Sequence, residues 1–132
     1  MRRNPLSVSP PSWLDIYADS YKRLLNRTAV TITKRARKRG ATHQVKEAID
    51  AIHAAFHRCD GMDPYDGLPL DSRLLAGSRC PSVSTLGNSN TANFEVLSVE
   101  TQAAKGERTT EDFIGHCRAV VAHADKTATP KR

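Results

Sequence analysis

The chain has 132 residues, a length typical of one domain with a modest core. Its 20 Lys and Arg residues outnumber 14 Asp and Glu residues, which gives a formal net charge of +6. It contains no apolar stretch of about 18 residues, and no apolar run follows the N-terminal arginines, so we expect neither a membrane span nor a secretory signal peptide.

The positive charge is concentrated towards the N-terminal end. Residues 1–39 hold ten basic and two acidic residues, whereas residues 40–132 hold ten basic and twelve acidic residues. A concentrated positive field suits a polyanion, so this distribution favours nucleic acid or a nucleoprotein complex as the partner. A helix with a solvated basic face would account for the same distribution.

The chain has three cysteines, Cys59, Cys80 and Cys117. Their odd number and the absence of a C-x-x-C pair argue against a disulfide framework and a zinc ribbon. Completing a tetrahedral set with His57 or His116 gives spacings that match no zinc pattern. We therefore expect free thiols in a cytoplasmic protein, with no bound metal and no cofactor.

Three segments are expected along the chain. Residues 1–11 form a flexible arm, because three prolines in this stretch oppose a helix. Residues 12–125 form a single domain, and residues 126–132 form a basic tail.

The first helix is predicted from Trp13 to about Arg39, with Ser12 as its N-cap and Gly40 as its stop signal. The β-branched residues 30–33 weaken its middle and leave open a break into two helices. Its predicted apolar face, at steps of three and four residues, consists of Leu14, Tyr17, Tyr21, Leu24, Thr28 and Ile32.

The end of this helix is strongly basic, since five of the six residues from Lys34 to Arg39 are Lys or Arg. Clustered cations contact phosphates and release counterions from a nucleic acid. A solvated helix end, where cations suit the helix dipole, explains the cluster equally well. The predicted nucleic-acid-binding residues are Lys34, Arg35, Arg37, Lys38, Arg39, Arg27 and Lys105.

The second helix is predicted from Thr42, its candidate N-cap, to about Arg58. His53 and His57 lie one turn apart within it, a spacing that can hold a metal ion. Because the residue after His53 is Ala54, the H-E-x-x-H pattern of zinc proteases is absent. Surface or half-buried histidines without a metal are the better interpretation.

A β-turn follows at residues 63–67, where Pro64 comes after a turn-starting Asp63 and Gly67 follows. After it come β segments at residues 81–87 and 93–99, a helical turn at 102–105 and a helix at 109–123. This order predicts an α+β fold, mostly helical, with a small ββα hairpin between N-terminal helices and a C-terminal helix. Four acidic residues are interpreted as turn-forming rather than cation-binding: Asp60, Asp63, Asp66 and Asp71.

Residues 63–71 resemble the turn before the first strand of HNH endonucleases. Asp63 and Asp66 stand where many members of that family carry zinc-binding cysteines, so the resemblance is to a bacterial and phage subgroup with a cysteine-free turn. Residues 102–105, Gln-Ala-Ala-Lys, resemble the family's N-x-x-K element. The resemblance covers residues 42–125 and implies a nuclease fold without structural zinc.

The catalytic residues of that family are replaced. Its Asp-His pair, which supplies the general base and a metal ligand, corresponds to Ser84 and Thr85, and its Asn corresponds to Gln102. We therefore expect a catalytically degenerate HNH-like protein, an inhibitor or regulator of phage or mobile-element type, that binds nucleic acid, a nucleoprotein complex or a protein partner. The alternative is a divergent, active DNA endonuclease with a divalent metal and a base such as His116 or His123.

Overall fold

A computed structural model describes residues 8–75, 77–86 and 92–128. The elements, in chain order, are α1 (Ala18–Lys38), α2 (Val45–Cys59), β1 (Pro81–Thr85), β2 (Phe94–Ser98), α3 (Val99–Lys105) and α4 (Thr110–Thr127). These described residues form a mixed α+β fold, as predicted, with four helices and one two-stranded antiparallel sheet. None of the helices within them combines the length and apolar character needed to cross a bilayer.

The core lies where α2 packs between α1 and β2. Its main side chains are Tyr21, Leu25 and Ala29 from α1, Ala48, Ile52 and Phe56 from α2, and Phe94 and Val96 from β2. The rings of Tyr21 and Phe56 meet edge to face, with centroids 5.8 Å apart. Aromatic pairs favour this geometry, and it fixes the position of α1 on α2.

The predicted start of the first helix is wrong, because α1 begins at Ala18 rather than near Trp13. The Trp13 ring stacks on Phe56, and its indole N–H donates to the Phe56 carbonyl at 2.8 Å. Burying this large side chain against the end of α2 outweighs the local helical pattern. The N-cap is accordingly Tyr17 and not Ser12.

The buried face of α1 also differs from the predicted one. Tyr17, which was assigned to that face, is 86% exposed. The residues of α1 that are buried are Tyr21, Leu25, Ala29, Thr33 and Ala36. The helix continues without a break through residues 30–33, and it ends as predicted just before Gly40, whose φ is 96°. Small side chains on this face permit close approach of α2.

The predicted N-cap of α2 is also wrong, since the cap is Gln44 rather than Thr42. The Glu47 carboxylate accepts a hydrogen bond from the Gln44 N–H at 3.0 Å. A Glu three residues after the cap is a known start signal, and it satisfies an amide that the helix itself cannot pair.

The two predicted β segments are confirmed as strands. β1 and β2 pair in antiparallel register, with Pro81 opposite Ser98, and β2 leads directly into α3. Ser98 ends the strand and caps the helix, because its hydroxyl accepts from the Thr101 N–H at 3.0 Å. The loop between the strands includes residues 87–91, which lie outside the described part of the chain.

The two ends of the predicted domain are described only in part. The arm predicted over residues 1–11 is described from Val8, which packs against the core, and Pro11 is buried. The tail predicted over residues 126–132 begins inside α4, which continues through Thr127.

Gly61, in the turn after α2, gives the first testable prediction. Its φ is 79°, and a Cβ built on it would lie 3.2 Å from side-chain atoms of Trp13. We expect Gly61→Ala to lower the free energy of unfolding by about 2 kcal/mol or more, because left-handed backbone strain adds to displacement of the indole.

Gly67→Ala is the matched control, because Gly67 has a φ of 71° and no atom within 4 Å of the added Cβ. For Gly67→Ala, backbone strain alone should lower the free energy of unfolding by about 1 kcal/mol. Urea denaturation of both variants measures the difference. Equal losses would mean that the contact between Gly61 and Trp13 contributes nothing.

Candidate nucleic-acid interface

A cleft of about 370 Å³ separates the C-terminal half of α1 from the hairpin and the helices that follow it. Its polar lining residues are Arg35 from α1, Arg39 at the C-cap of α1, Ser84 and Thr85 from β1, Gln102 and Lys105 from α3, Glu107, Arg108 and Thr109 from the loop before α4, and Thr110 from α4. The cleft therefore joins the basic helix to the end of the hairpin.

Arg35 and Arg39 line the cleft together because they lie one turn apart on the same side of α1. The Arg39 guanidinium is 3.7 Å from the Glu107 carboxylate, and both side chains are largely exposed. An exposed pair of this kind contributes little and leaves the arginine available to a stronger anion. Arg108 adds a further cation that sequence reasoning missed, because an isolated loop arginine carries no pattern.

Most of the predicted basic residues share one exposed side of α1. This basic face consists of Arg27, Lys34, Arg35, Lys38 and Arg39. Their spacings of three, four and seven residues place them on neighbouring turns of the helix. Arg37 lies apart from them, since its guanidinium donates to the His43 carbonyl and the Gln44 side chain, both at 3.4 Å. The basic residues within 34–39 are therefore close in sequence but do not all face the same side of the helix.

Lys105 occupies a different environment from the other predicted binding residues. It is 5% exposed, and its Nζ lies 3.8 Å from the Glu95 carboxylate. Glu95 also accepts a hydrogen bond from the Tyr65 hydroxyl at 2.6 Å. Burial, and then this bond, raises the pKa of Tyr65 to about 12. Lys105 therefore belongs to a buried polar network that borders the cleft.

The Gln102 side chain is held against β1. Its carbonyl oxygen accepts from the Ser82 hydroxyl, and its Nε2 donates to the Val83 carbonyl at 3.4 Å. Ser84 and Thr85 contribute hydroxyl groups to the cleft wall. These groups can donate and accept hydrogen bonds, but none of them is a base near neutral pH.

The donor set of the cleft does not fit a divalent cation. Among its described lining residues, the carboxylate is that of Glu107, which is exposed, and there is no histidine. His116 and His123, the candidate replacement bases, lie on exposed positions of α4 outside the cleft. Mg²⁺ and Mn²⁺ bind through carboxylate, carbonyl and water oxygens. The described lining residues of the cleft therefore carry the charge to hold an anion, and they include neither a histidine base nor a set of metal ligands.

Asp63 connects the turn to the start of α3. Its Oδ1 accepts from the N–H groups of Tyr65 at 2.7 Å and Asp66 at 3.1 Å, and its Oδ2 accepts from the Ser98 N–H at 2.9 Å. Burial acts to raise the pKa of Asp63, but hydrogen bonds from these amides and from Thr101 outweigh it and hold the pKa below its usual value. The turn-forming role predicted for Asp63 is confirmed.

Arg79 binds the same turn through several hydrogen bonds. Its guanidinium binds both carboxylate oxygens of Asp66, at 2.8 and 3.2 Å, and donates to the carbonyls of Leu68 and Pro69 at 3.0 and 3.1 Å. It also lies 3.3 Å from Glu100 on α3. Asp66 has its predicted turn-forming role as well, accepting from the Leu68 N–H at 2.9 Å. Sequence reasoning did not single out Arg79, because only the fold brings it to the turn.

The histidine pair on α2, His53 and His57, is not joined by a third metal-binding side chain among the described residues. The rings of His53 and His57 have centroids 4.5 Å apart, and Nδ1 of His53 is hydrogen-bonded to the Tyr21 hydroxyl at 2.6 Å. Burial, followed by the influence of His57, lowers the pKa of His53. Within the described ranges, no three His, Cys, Asp or Glu side chains form a group able to hold a metal, and the three cysteines are free.

The fold and the cleft together define a small α+β protein with a basic helix beside a two-stranded sheet. No protein-family model, curated protein or solved structure matches the chain. The functional conclusion therefore rests on the charges and contacts of the basic face and the cleft.

Proposed function

We propose that this protein binds nucleic acid, free or within a nucleoprotein complex, through the basic face of α1 and the adjoining cleft. The observation that carries the proposal is the position of Arg35 and Arg39, which belong both to the basic face and to the cleft wall. A phosphate backbone lying along α1 would meet the basic face, and one phosphate could enter the cleft beside Arg108.

The dimensions of the basic face suit such a backbone. From Arg27 to Arg39 the helix rises about 18 Å, at roughly 1.5 Å per residue. One strand of a nucleic acid advances about 3.4 Å per phosphate, so this length corresponds to roughly five phosphates. Four of the five cations of the basic face lie at residues 34–39, within about 8 Å of helix rise, so its charge is densest beside the cleft. The exposed pair with Glu107 is too weak to neutralise Arg39.

The arrangement around the cleft supports an HNH-like but catalytically degenerate protein. β1, β2 and α3 follow one another in the order of a ββα unit. Ser84, Thr85 and Gln102, which correspond by resemblance to the catalytic Asp-His pair and Asn, all line the cleft. They can orient a phosphate but cannot take a proton from water at neutral pH. Binding without cleavage suits an inhibitor or regulator of phage or mobile-element type.

Affinity for labelled DNA and RNA, measured between about 50 and 200 mM salt, tests the binding proposal. For duplex DNA we expect the logarithm of the association constant to fall with the logarithm of salt concentration with a slope of about −4.5, as for roughly five neutralised phosphates. Absence of binding to both polymers, or a flat salt dependence, would overturn the proposal.

Plasmid incubation with Mg²⁺, Mn²⁺ or Ni²⁺ tests the loss of catalysis, and we expect no cutting. A variant with Arg35→Ala and Arg39→Ala controls for a contaminating nuclease. Cutting by the unmodified chain that stops with a chelator, and that the variant lacks, would instead support the divergent, metal-dependent HNH endonuclease.

A further inference from the structure

α4 is hardly packed against the other parts of the chain that the structure describes. All of its 18 residues are described, and Phe113 is the buried one. Ile114, Val120 and Val121 are exposed by 37%, 53% and 58%. Helices in proteins gain most of their stability by burying an apolar face, so this face is suited to a further partner.

An open groove of about 930 Å³ runs beside α4. Its apolar lining consists largely of Pro64, Leu86 and Ala104 on one wall and Ile114, Cys117 and Val121 on the α4 wall. Apart from Thr110, its lining residues differ from those of the cleft near α1. The groove is therefore a second surface, separate from the basic face.

The sequence of α4 has the spacing of a helix-pairing seam. Ile114, Cys117, Val121 and Ala124 follow one another at steps of three, four and three residues. These steps place the four residues at a and d positions over about one and a half heptads, and Ile114, Cys117 and Val121 line the groove. Residues at such positions pack against a second helix of the same spacing. A helix is thus the kind of segment that the α4 wall of the groove fits.

The charged residues beside these four positions indicate which helix would fit the groove. Arg118 and Asp125 both line the groove, seven residues apart, and among the described residues neither has an ion-pair partner. When two copies of α4 lie antiparallel about a two-fold axis, Arg118 of each copy faces the partner's Asp125, and Val121 lies near the axis. A uniformly acidic or basic helix would leave one of these charges facing its like.

We propose that α4 of a second copy of this chain occupies the groove in antiparallel orientation and forms a symmetric dimer. Each copy then supplies both the helix and the groove, and the pair between Arg118 and the partner's Asp125 occurs twice. At about 27 Å, α4 is long enough for both pairs to form. Arg35 and Arg39 lie outside the groove and stay free in the dimer.

Reversing the charges of Arg118 and Asp125 tests this arrangement. The dissociation constant of the dimer is measured by sedimentation velocity in reducing buffer. Arg118→Asp or Asp125→Arg alone creates two repulsive contacts and should raise that constant roughly tenfold or more. The double variant restores both pairs with reversed sign and should return it to within about threefold of the unmodified chain. Lys126→Asp, an exposed change of the same size outside the groove, should leave it unchanged.

Val121→Asp gives a second test, since its side chain is 58% exposed in a single copy and no core contact is removed. It should abolish the dimer while the near-ultraviolet circular dichroism of Trp13, which stacks on Phe56 in the core, stays unchanged. A chain that is monomeric at every concentration would overturn the proposal. So would single reversals that dimerise normally, a double reversal that does not recover, or a Val121→Asp variant that still dimerises.

Discussion

Replacing Arg35 and Arg39 together by alanine is expected to weaken nucleic-acid binding roughly 30-fold and to reduce the salt slope by about two. Each substitution removes one charge-assisted contact to phosphate, and that contact contributes about 1 kcal/mol or more to binding at an exposed surface. The change should act on DNA sequences uniformly, because phosphate contacts carry no base information. The measurement is the same salt titration as for the unmodified chain.

Arg37→Ala is the matched control for the single Arg35→Ala variant, because each removes one positive charge from α1. The Arg37 guanidinium lies against His43 and Gln44, away from the basic face. We expect a loss of affinity below about threefold, arising from long-range charge alone. If Arg37→Ala weakens binding as much as Arg35→Ala, affinity follows net charge and the basic face has no special role.

Replacing Asp63 by alanine is expected to cost about 3 kcal/mol of folding free energy at neutral pH. The change leaves the amides of Tyr65, Asp66 and Ser98 without their acceptor, and the Ser98 amide is buried. An unsatisfied buried amide costs about 1–3 kcal/mol, and bonds to a charged acceptor are the stronger ones. Urea denaturation measures the loss.

Asp71→Ala provides the comparison, since the Asp71 carboxylate accepts one exposed hydrogen bond, from the Arg73 N–H at 3.0 Å. A loss of about 1 kcal/mol or less is expected there. Similar losses for the two variants would mean that the link from Asp63 to α3 adds nothing to a local turn.

The stability of the protein should also fall in acid because of Asp63. Folding lowers the pKa of this carboxyl, so its ionised form stabilises the fold above the ordinary value of about 3.9. That stabilisation is lost as the pH falls through the lower pKa of the folded state. Denaturation at a series of pH values should show a smaller acid-dependent loss in Asp63→Ala than in the unmodified chain. Parallel curves would contradict this assignment.

The sequence by itself determined the elements whose signals are local. The stop at Gly40, the turn around Asp63 and the start of α4 at Thr109 all agree with the structure. Each depends on hydrogen bonds or backbone angles within a few residues, such as the bond from the Asp112 N–H to the Thr109 hydroxyl at 3.1 Å. Local chemistry of this kind acts in any fold, although another residue can provide the cap, as Tyr17 and Gln44 do in place of Ser12 and Thr42.

The tertiary structure alone decided which surfaces these elements present. Trp13 and Tyr17 fit a helical pattern, yet one packs on α2 outside the helix and the other is exposed. Arg37 and Arg35 are equivalent in sequence, but only Arg35 lines the cleft. Helical spacing defines several possible faces, and packing between residues distant in the chain selects one. The candidate interface arises from that selection.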